Sequence, residues 1–142
     1  MTRLSLPNCD ESGYLINTKD FFLKVKSRTL LFVDDHTDLA VVFSRMLDRR
    51  GYLTTPALTV EAALSLARLI KYDLVICDIV FEEKSGYDFL QTFREFSNAP
   101  TIAISGVFDH HDKALNAGFT NFLPKPLLLD KLIVAIEKAL SV

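Results

Sequence analysis

Five side chains that could take part in chemistry each stand at or just after the end of a short apolar run of this 142-residue sequence. Three are carboxylates, one is a hydroxyl and one is an ammonium group: Asp34, Asp35, Asp78, Ser105 and Lys125. Clustered carboxylates repel one another unless a cation neutralises them, and oxygen ligands of this kind suit Mg²⁺. A carboxylate held beside Mg²⁺ can attack phosphorus and form an acyl phosphate. The set indicates magnesium-dependent phosphoryl transfer, provided that the five side chains meet.

Each of these residues has a simpler explanation when it is taken alone. An acid at the junction between a strand and a helix is more often a helix cap, and an isolated serine there is usually a turn hydroxyl. Lys125 is more specific because Pro124 and Pro126 fix the backbone on both sides of it. What favours function is the convergence of all five at one edge of a sheet.

The elements that must position them alternate along the chain. From Thr29 onward, short apolar runs alternate with amphipathic stretches five times, with predicted strands at 29–33, 52–57, 74–77, 101–105 and 121–123. Near-continuous apolar strands of this kind are typical of a parallel sheet that is covered on both faces. Right-handed crossovers then give a doubly wound, flavodoxin-like α/β fold. We predict five parallel strands in the order 2-1-3-4-5, with the site at their carboxyl ends.

The amphipathic stretches predict helices with one apolar stripe each. The first predicted stripe consists of Leu39, Val42, Phe43, Met46 and Leu47, and the second of Ala63, Leu66, Ala67 and Ile70. Recurrence of apolar residues three and four positions apart is the helical pattern. A weaker, polar helix is predicted near 111–117, and the last helix carries its stripe from Leu129 to Ile136.

Composition excludes several classes of protein. Apolar residues make up 49% and charged residues 24% of the chain, the formal net charge is −2, and no apolar run is long enough to span a bilayer. The first residues show no signal-peptide pattern, so we expect a cytosolic protein that contacts neither nucleic acid nor membrane. The two cysteines, Cys9 and Cys77, lack metal or redox spacing, and Cys77 is predicted to be a small buried thiol.

Residues 29–141 resemble a receiver domain of a bacterial two-component response regulator, of the stand-alone kind found in chemotaxis. The marks are Val33-Asp34-Asp35, Asp78 with Gly86 eight residues later, Ser105 at a strand end, and Lys125-Pro126. The resemblance implies that Asp78 accepts the phosphoryl group and that Asp34, Asp35, Asp78 and the backbone carbonyl of Val80 surround Mg²⁺. It also implies a switch formed by Ser105, Lys125 and Phe122.

The same resemblance implies a function and partners. The chain would be a phosphorylation-dependent signalling switch whose donor is a sensor histidine kinase or a histidine phosphotransfer protein. It would transmit the signal to a protein partner, or to a second copy of itself, through its fourth helix, fifth strand and fifth helix. Self-phosphorylation and slow self-dephosphorylation would be its only chemistry, so it would not be an enzyme with turnover.

Some residues depart from the family pattern. Phe81-Glu82 stands where a Met-Pro pair is common, which makes this loop more acidic and less constrained. Val80 and Val107, two positions beyond Asp78 and Ser105, flank the path of an attacking water. Two apolar side chains there disfavour an ordered water, so we expect a long-lived acyl phosphate. His110 and His111 are predicted to be exposed residues at the start of a helix.

Three alternatives are weighed against this interpretation. A degenerate receiver that binds partners without phosphorylation would have the same fold, but the intact acidic and lysine set argues against it. An aspartate-nucleophile phosphatase needs a second acid two residues after the nucleophile, where this chain has Val80. A nucleotide-binding enzyme would need a glycine-rich phosphate loop, and neither of the usual patterns occurs.

The ends of the chain carry predictions of their own. Residues 1–28 fall outside the alternating pattern and are predicted to be an N-terminal extension, either an added element or an interaction arm, with the receiver domain at 29–142. Because the chain stops soon after the last predicted helix, we expect no effector domain after the receiver.

Overall fold

The computed structural model describes residues 27–107 and 109–141, and within them five strands alternate with five helices. The strands are β1 (Thr29–Val33), β2 (Leu53–Ala57), β3 (Leu74–Asp78), β4 (Thr101–Ser105) and β5 (Asn121–Pro124). The helices are α1 (Thr37–Asp48), α2 (Val60–Leu69), α3 (Gly86–Phe93), α4 (His110–Ala117) and α5 (Leu129–Leu140). Most of the predicted N-terminal extension lies outside the described residues, so its boundary stays a prediction.

All five strands are parallel and lie in the order β2-β1-β3-β4-β5, which confirms the predicted topology. The three central strands are almost entirely buried because both faces of the sheet are covered. α2, α3 and α4 pack on one face, and α1 and α5 pack on the other. The carboxyl ends of the strands therefore meet at one edge.

The prediction that all stripe residues face the core is wrong for two of them. Val42 is 50% exposed because the buried side of α1 is set by Ala40, Ser44 and Leu47, and Val42 lies on the opposite side of the helix. Ile70 is 42% exposed because its backbone is extended at the end of α2, which takes it out of the helical phase.

Local sequence signals mark several helix boundaries. The Thr59 hydroxyl accepts the backbone N–H of Ala62 at the start of α2, and Ser85 and Asp88 form a reciprocal capping box at the start of α3. Gly51, after α1, and Gly118, after α4, have positive φ angles of 99° and 113°. That backbone conformation favours glycine at the end of a helix.

Within the described residues, no helix is long and apolar enough to cross a bilayer.

Candidate phosphoacceptor and metal site

The end of β3 carries the central carboxylate of the site. Asp78 is its last residue and is only 3% exposed, and the strand pairing with β4 continues beyond it, since the N–H of Ile79 donates to the carbonyl of Ile104 at 3.0 Å. The N–H of Val80 donates to Asp78 Oδ1 at 3.3 Å. The chain therefore fixes the carboxylate from both its strand and its following turn.

Gly86 explains why the loop after Asp78 needs a glycine eight residues later. The N–H of Gly86 donates to the carbonyl of Ile79 at 2.8 Å, so α3 begins against the end of β3. A Cβ atom at position 86 would collide with the carbonyl oxygen of Asp78 and would lie 3.0 Å from the Cα of Ile79. Only glycine permits this approach without backbone movement.

Lys125 joins two of the acids. Its ammonium donates to Asp78 Oδ2 at 3.0 Å and lies 2.9 Å from Asp34 Oδ2. The backbone N–H of Lys125 also donates to the carbonyl of Ser105 at 2.9 Å, which ties the end of β5 to the end of β4. The peptide bond that follows, Lys125–Pro126, is cis.

The acid pair after β1 has one buried and one exposed member. Asp34 is fully buried, whereas the Asp35 side chain is 37% exposed. Carboxylate oxygens of Asp34, Asp35 and Asp78, together with a ring nitrogen of His36, all lie within 4.8 Å of one another. Three hard oxygen donors at this spacing fit Mg²⁺, so the residues present suit the ion that the sequence predicts.

His36 also belongs to this cluster, although it is not among the site residues predicted from the sequence. Its backbone N–H donates to Asp34 Oδ1 at 2.9 Å, and its Nδ1 lies 3.1 Å from the same oxygen and 3.3 Å from Asp35 Oδ1. The signal in the sequence was its position directly after the acid pair. Its ring is 71% exposed and stands at the rim of the site.

Burial and charge shift the ionisation of the central pair. Burial raises the pKa of Asp78, and the nearby Asp34 charge adds to the rise, while hydrogen bonds from Lys125 and Val80 oppose it. Burial alone would lower the pKa of Lys125, but its contacts with Asp34 and Asp78 outweigh this and raise it. The site therefore holds a lysine that stays charged and a carboxylate whose charge is costly without further neutralisation.

An open depression runs over this cluster. Its lining includes both valines that flank the predicted water path, and they are well exposed: Val80 at 50% and Val107 at 45%. The other lining residues come from the ends of β1, β3, β4 and β5 and the loops after them: Asp35, His36, Asp78, Phe81, Glu82, Gly106 and Lys125. Asp78 therefore lines a depression that is open to solvent.

Two predicted switch residues lie deeper. Ser105 is 1% exposed, and Phe122 is 7% exposed within the core on the face covered by α2, α3 and α4. Cys77, the residue before Asp78, is buried as predicted, and burial with the two nearby acids raises the pKa of its thiol. A neutral buried thiol takes no part in the chemistry of the depression.

The expected exposure of both histidines at the start of α4 is wrong for His110. It is half-buried, its Nδ1 lies 2.8 Å from Ser105 Oγ, and its ring contacts the edge of Tyr87. His111 is exposed, as predicted, but its ring meets that of Phe122 at 5.4 Å between centroids. No periodic pattern in the sequence indicates the contacts of His110 with Ser105 and of His111 with Phe122, because each joins a helix to a strand.

Comparison with known proteins decides the family. The family model of the response regulator receiver domain matches residues 30–137. The chain belongs to this family. The match covers every residue of the cluster described above, and the receiver fold accounts for the strand order and the position of the site.

Individual relatives agree with this assignment. The uncharacterized transcriptional regulatory protein YcbL of Bacillus subtilis is 32% identical over 113 residues, which are 78% of this chain and 50% of that protein. The receiver domain from the hybrid histidine kinase CckA is 30% identical, with a TM-score of 0.67, over 79% of this chain and 98% of that structure. A two-component response regulator from Clostridium difficile shares the fold, with a TM-score of 0.77 at 23% identity over 81% of this chain and 97% of that one.

The chain spans about half the length of YcbL and about a quarter of ZraR from Salmonella typhimurium, which is also a transcriptional regulatory protein. The similarity therefore concerns the part of this chain that the receiver-domain model matches, residues 30–137.

Proposed function

We propose that this receiver domain accepts a phosphoryl group on Asp78 and that the modification changes the surface it presents to a protein partner. The observation that carries the proposal is the contact of one ammonium, Lys125 Nζ, with two buried carboxylates at strand ends, 3.0 Å from Asp78 and 2.9 Å from Asp34. Such a site carries more negative than positive charge, which a divalent cation would neutralise, and the same cation would offset the charge of a phosphoryl group bound there.

The proposed reaction transfers a phosphoryl group from an oxygen or nitrogen atom of the donor to the Asp78 carboxylate. A carboxylate oxygen attacks phosphorus while the bond from phosphorus to the donor breaks, and the leaving group keeps the electron pair. The product is an acyl phosphate. Lys125 stays protonated and offsets the charge on the phosphoryl oxygens, and the Val80 N–H holds the carboxylate in place.

Magnesium completes this scheme. Asp34, Asp35, Asp78 and the backbone carbonyl of Val80 would hold the ion, which supplies charge neutralisation at the transferring phosphoryl group. Asp35 is the exposed acid of the pair, so it is the member best placed to take an ion from solvent, whereas buried Asp34 orients Lys125.

Donor, partner and location belong to the same proposal. A sensor histidine kinase or a histidine phosphotransfer protein would donate the phosphoryl group, as the resemblance implies, and the protein would act in the cytoplasm. The output surface would consist of α4, β5 and α5, toward a protein partner or a second copy of the chain. A net charge of −2 favours neither nucleic acid nor an anionic membrane as a direct partner. The receiver would turn over no substrate beyond its own acyl phosphate.

The proposal is tested by the mass of the intact protein after incubation with acetyl phosphate. We expect the mass to rise by one phosphoryl group with Mg²⁺, and not to rise in the presence of a chelator or in the Asp78→Asn variant. Phosphoramidate, a donor with a nitrogen leaving group, should give the same product. A wild-type protein that gains no mass with either donor would instead be the degenerate receiver considered above.

A further inference from the structure

The Ser105 hydroxyl has two polar contacts among the described residues, and neither reaches Asp78. Its oxygen accepts the backbone N–H of Val107 at 3.0 Å, and it lies 2.8 Å from Nδ1 of His110. Ser105 is 1% exposed, so its hydroxyl is buried, whereas its two partners are partly exposed. The hydroxyl that is expected to reorient on phosphorylation thus already forms a hydrogen bond with His110, the first residue of α4.

The direction of the second hydrogen bond follows from satisfying the buried atoms. The hydroxyl has one proton, and the Val107 N–H already uses a lone pair of its oxygen. If His110 also donated, the buried hydroxyl proton would lack an acceptor, which is costly. Donation from Ser105 Oγ to an unprotonated Nδ1 satisfies both the hydroxyl proton and this ring nitrogen. In this arrangement the single proton of Ser105 is committed to His110.

The first turn of α4 is held at two further points. The ring of His110 packs edge-on against Tyr87 of α3, with centroids 6.3 Å apart and planes at 84°. The next residue, His111, packs edge-on against Phe122, at 5.4 Å and 75°. Adjacent histidines therefore contact two of the three residues that the resemblance implies as the switch, at the Ser105 hydroxyl and the Phe122 ring.

We propose that His110 is a positioning residue that holds the Ser105 hydroxyl in the unphosphorylated state and competes with the phosphoryl group for its proton. This inference rests on the proposed function at Asp78. When the acyl phosphate forms, the hydroxyl turns to donate to a phosphoryl oxygen and the bond to His110 breaks. The start of α4, which lies on the proposed output surface, is then released from the end of β4.

Two substitutions separate the acceptor from the ring. His110→Phe keeps a ring against Tyr87 but removes the acceptor, whereas His110→Asn keeps an acceptor near the Nδ1 position and removes the ring. At a fixed acetyl phosphate concentration we expect His110→Phe to raise the steady-state ratio of phosphorylated to unphosphorylated protein about fivefold, the worth of one hydrogen bond. His110→Asn should stay close to wild type. The reverse pattern, with Asn altered and Phe unchanged, would assign the effect to ring packing and overturn the inference.

A double-mutant cycle with Ser105→Ala makes the test specific. The cycle isolates the energy of the Ser105–His110 pair. We expect the fivefold effect of His110→Phe to vanish in the Ser105→Ala background, because no hydroxyl remains to be released. An equal effect in both backgrounds, or no effect in either, would contradict the inference while leaving phosphorylation of Asp78 intact. If wild type itself gained no mass, the proposed function would fail and this inference with it.

Discussion

The carboxyl group of Asp78 is buried beside a second buried carboxylate, and its ionisation therefore opposes folding in the absence of metal. Burial and the charge of Asp34 together outweigh the hydrogen bond from Lys125, so its pKa lies above the usual value of a carboxyl group. A raised pKa in the folded state means that the neutral form is favoured there. The corresponding stability is fully present below the unfolded pKa, about 3.9, and is lost as the pH rises through the folded value.

This sign gives a prediction for Asp78→Asn. Without metal at pH 7, we expect the free energy of unfolding of the variant to exceed that of wild type by on the order of 1 kcal/mol. The variant should be more stable because a neutral amide replaces a buried charge. The gain should shrink as the pH falls toward 4, and added Mg²⁺ should narrow it by stabilising wild type. Urea unfolding across this pH range measures the stability difference between the two proteins. Glu95→Gln, which makes the same kind of change at an exposed position, is the control. A variant less stable than wild type at pH 7 would contradict the assignment.

The two valines at the rim predict how long the phosphoryl group survives. Val80 and Val107 are about half exposed and line the opening to Asp78, where neither can hold a water molecule by a hydrogen bond. We expect Val107→Glu to speed loss of the phosphoryl group about tenfold, because a carboxylate there can orient the attacking water. Val107→Met, of similar reach but apolar, is the matched control. Decay measured by intact mass after removal of the donor checks this, and equal rates for the two variants would contradict it.

At the scale of the elements, the join between β3 and α3 is the tightest part of the site. Gly86 brings the start of α3 against the carbonyl of Asp78, and its capping box is supplied by the adjacent Ser85 and Asp88. A Cβ atom added at Gly106, which follows β4, would meet Lys125 Cβ at an ordinary contact distance of 3.9 Å. Gly86 begins α3 against the end of β3 and Gly106 directly follows β4, and the two positions have different amounts of free space.

We therefore expect Gly86→Ala to lower the free energy of unfolding by about 1–3 kcal/mol, the usual cost of overpacking, and to slow phosphorylation by displacing Asp78. Gly106→Ala should change stability by less than about 1 kcal/mol. Thermal or urea unfolding of the two variants compares them directly. If Gly106→Ala proved the more damaging, the proposed crowding at position 86 would be wrong.

The elements also show which features the sequence could predict. Strand positions and order followed from apolar runs and the alternation with helices, because these depend on local pattern and on general rules of chain connection. The inward face of α1 was harder to predict, since Val42 fits the apolar repeat yet points to solvent, while Ser44 is buried. Which side of a helix faces the core depends on packing partners that are distant in sequence.

Some contacts of the candidate site could likewise be predicted from the sequence, and others could not. The meeting of Asp34, Asp78 and Lys125 could be predicted because parallel strands deliver their ends to one edge. The hydrogen bond between Ser105 and His110 could not, because it depends on the path of the loop between β4 and α4 and on a ring orientation. The placement of His36 among the acids likewise required coordinates. The roles of all these residues stay predictions until they are tested.

At the scale of the whole molecule, the two faces of the sheet differ in the contacts that they make with the implied switch residues. The face covered by α2, α3 and α4 contains the contacts of two implied switch residues, Ser105 with His110 and Phe122 with His111. The other face, with α1 and α5, packs aliphatic side chains with Phe32 against the sheet and has no part in these contacts. A change in the contacts of Ser105 and Phe122 would therefore reach α4, which is one element of the proposed output surface.

The central claim is that phosphorus becomes bound to one particular carboxylate, and peptide mapping tests it most directly. Borohydride reduces an acyl phosphate to the alcohol, so a phosphorylated aspartate is converted to homoserine, which the mass of its peptide reveals. After incubation with acetyl phosphate and Mg²⁺, we predict homoserine at position 78 and at no other acidic position. Homoserine at Asp34 or Asp35 instead, or a phosphoryl group found on His36 or His110, would contradict the account.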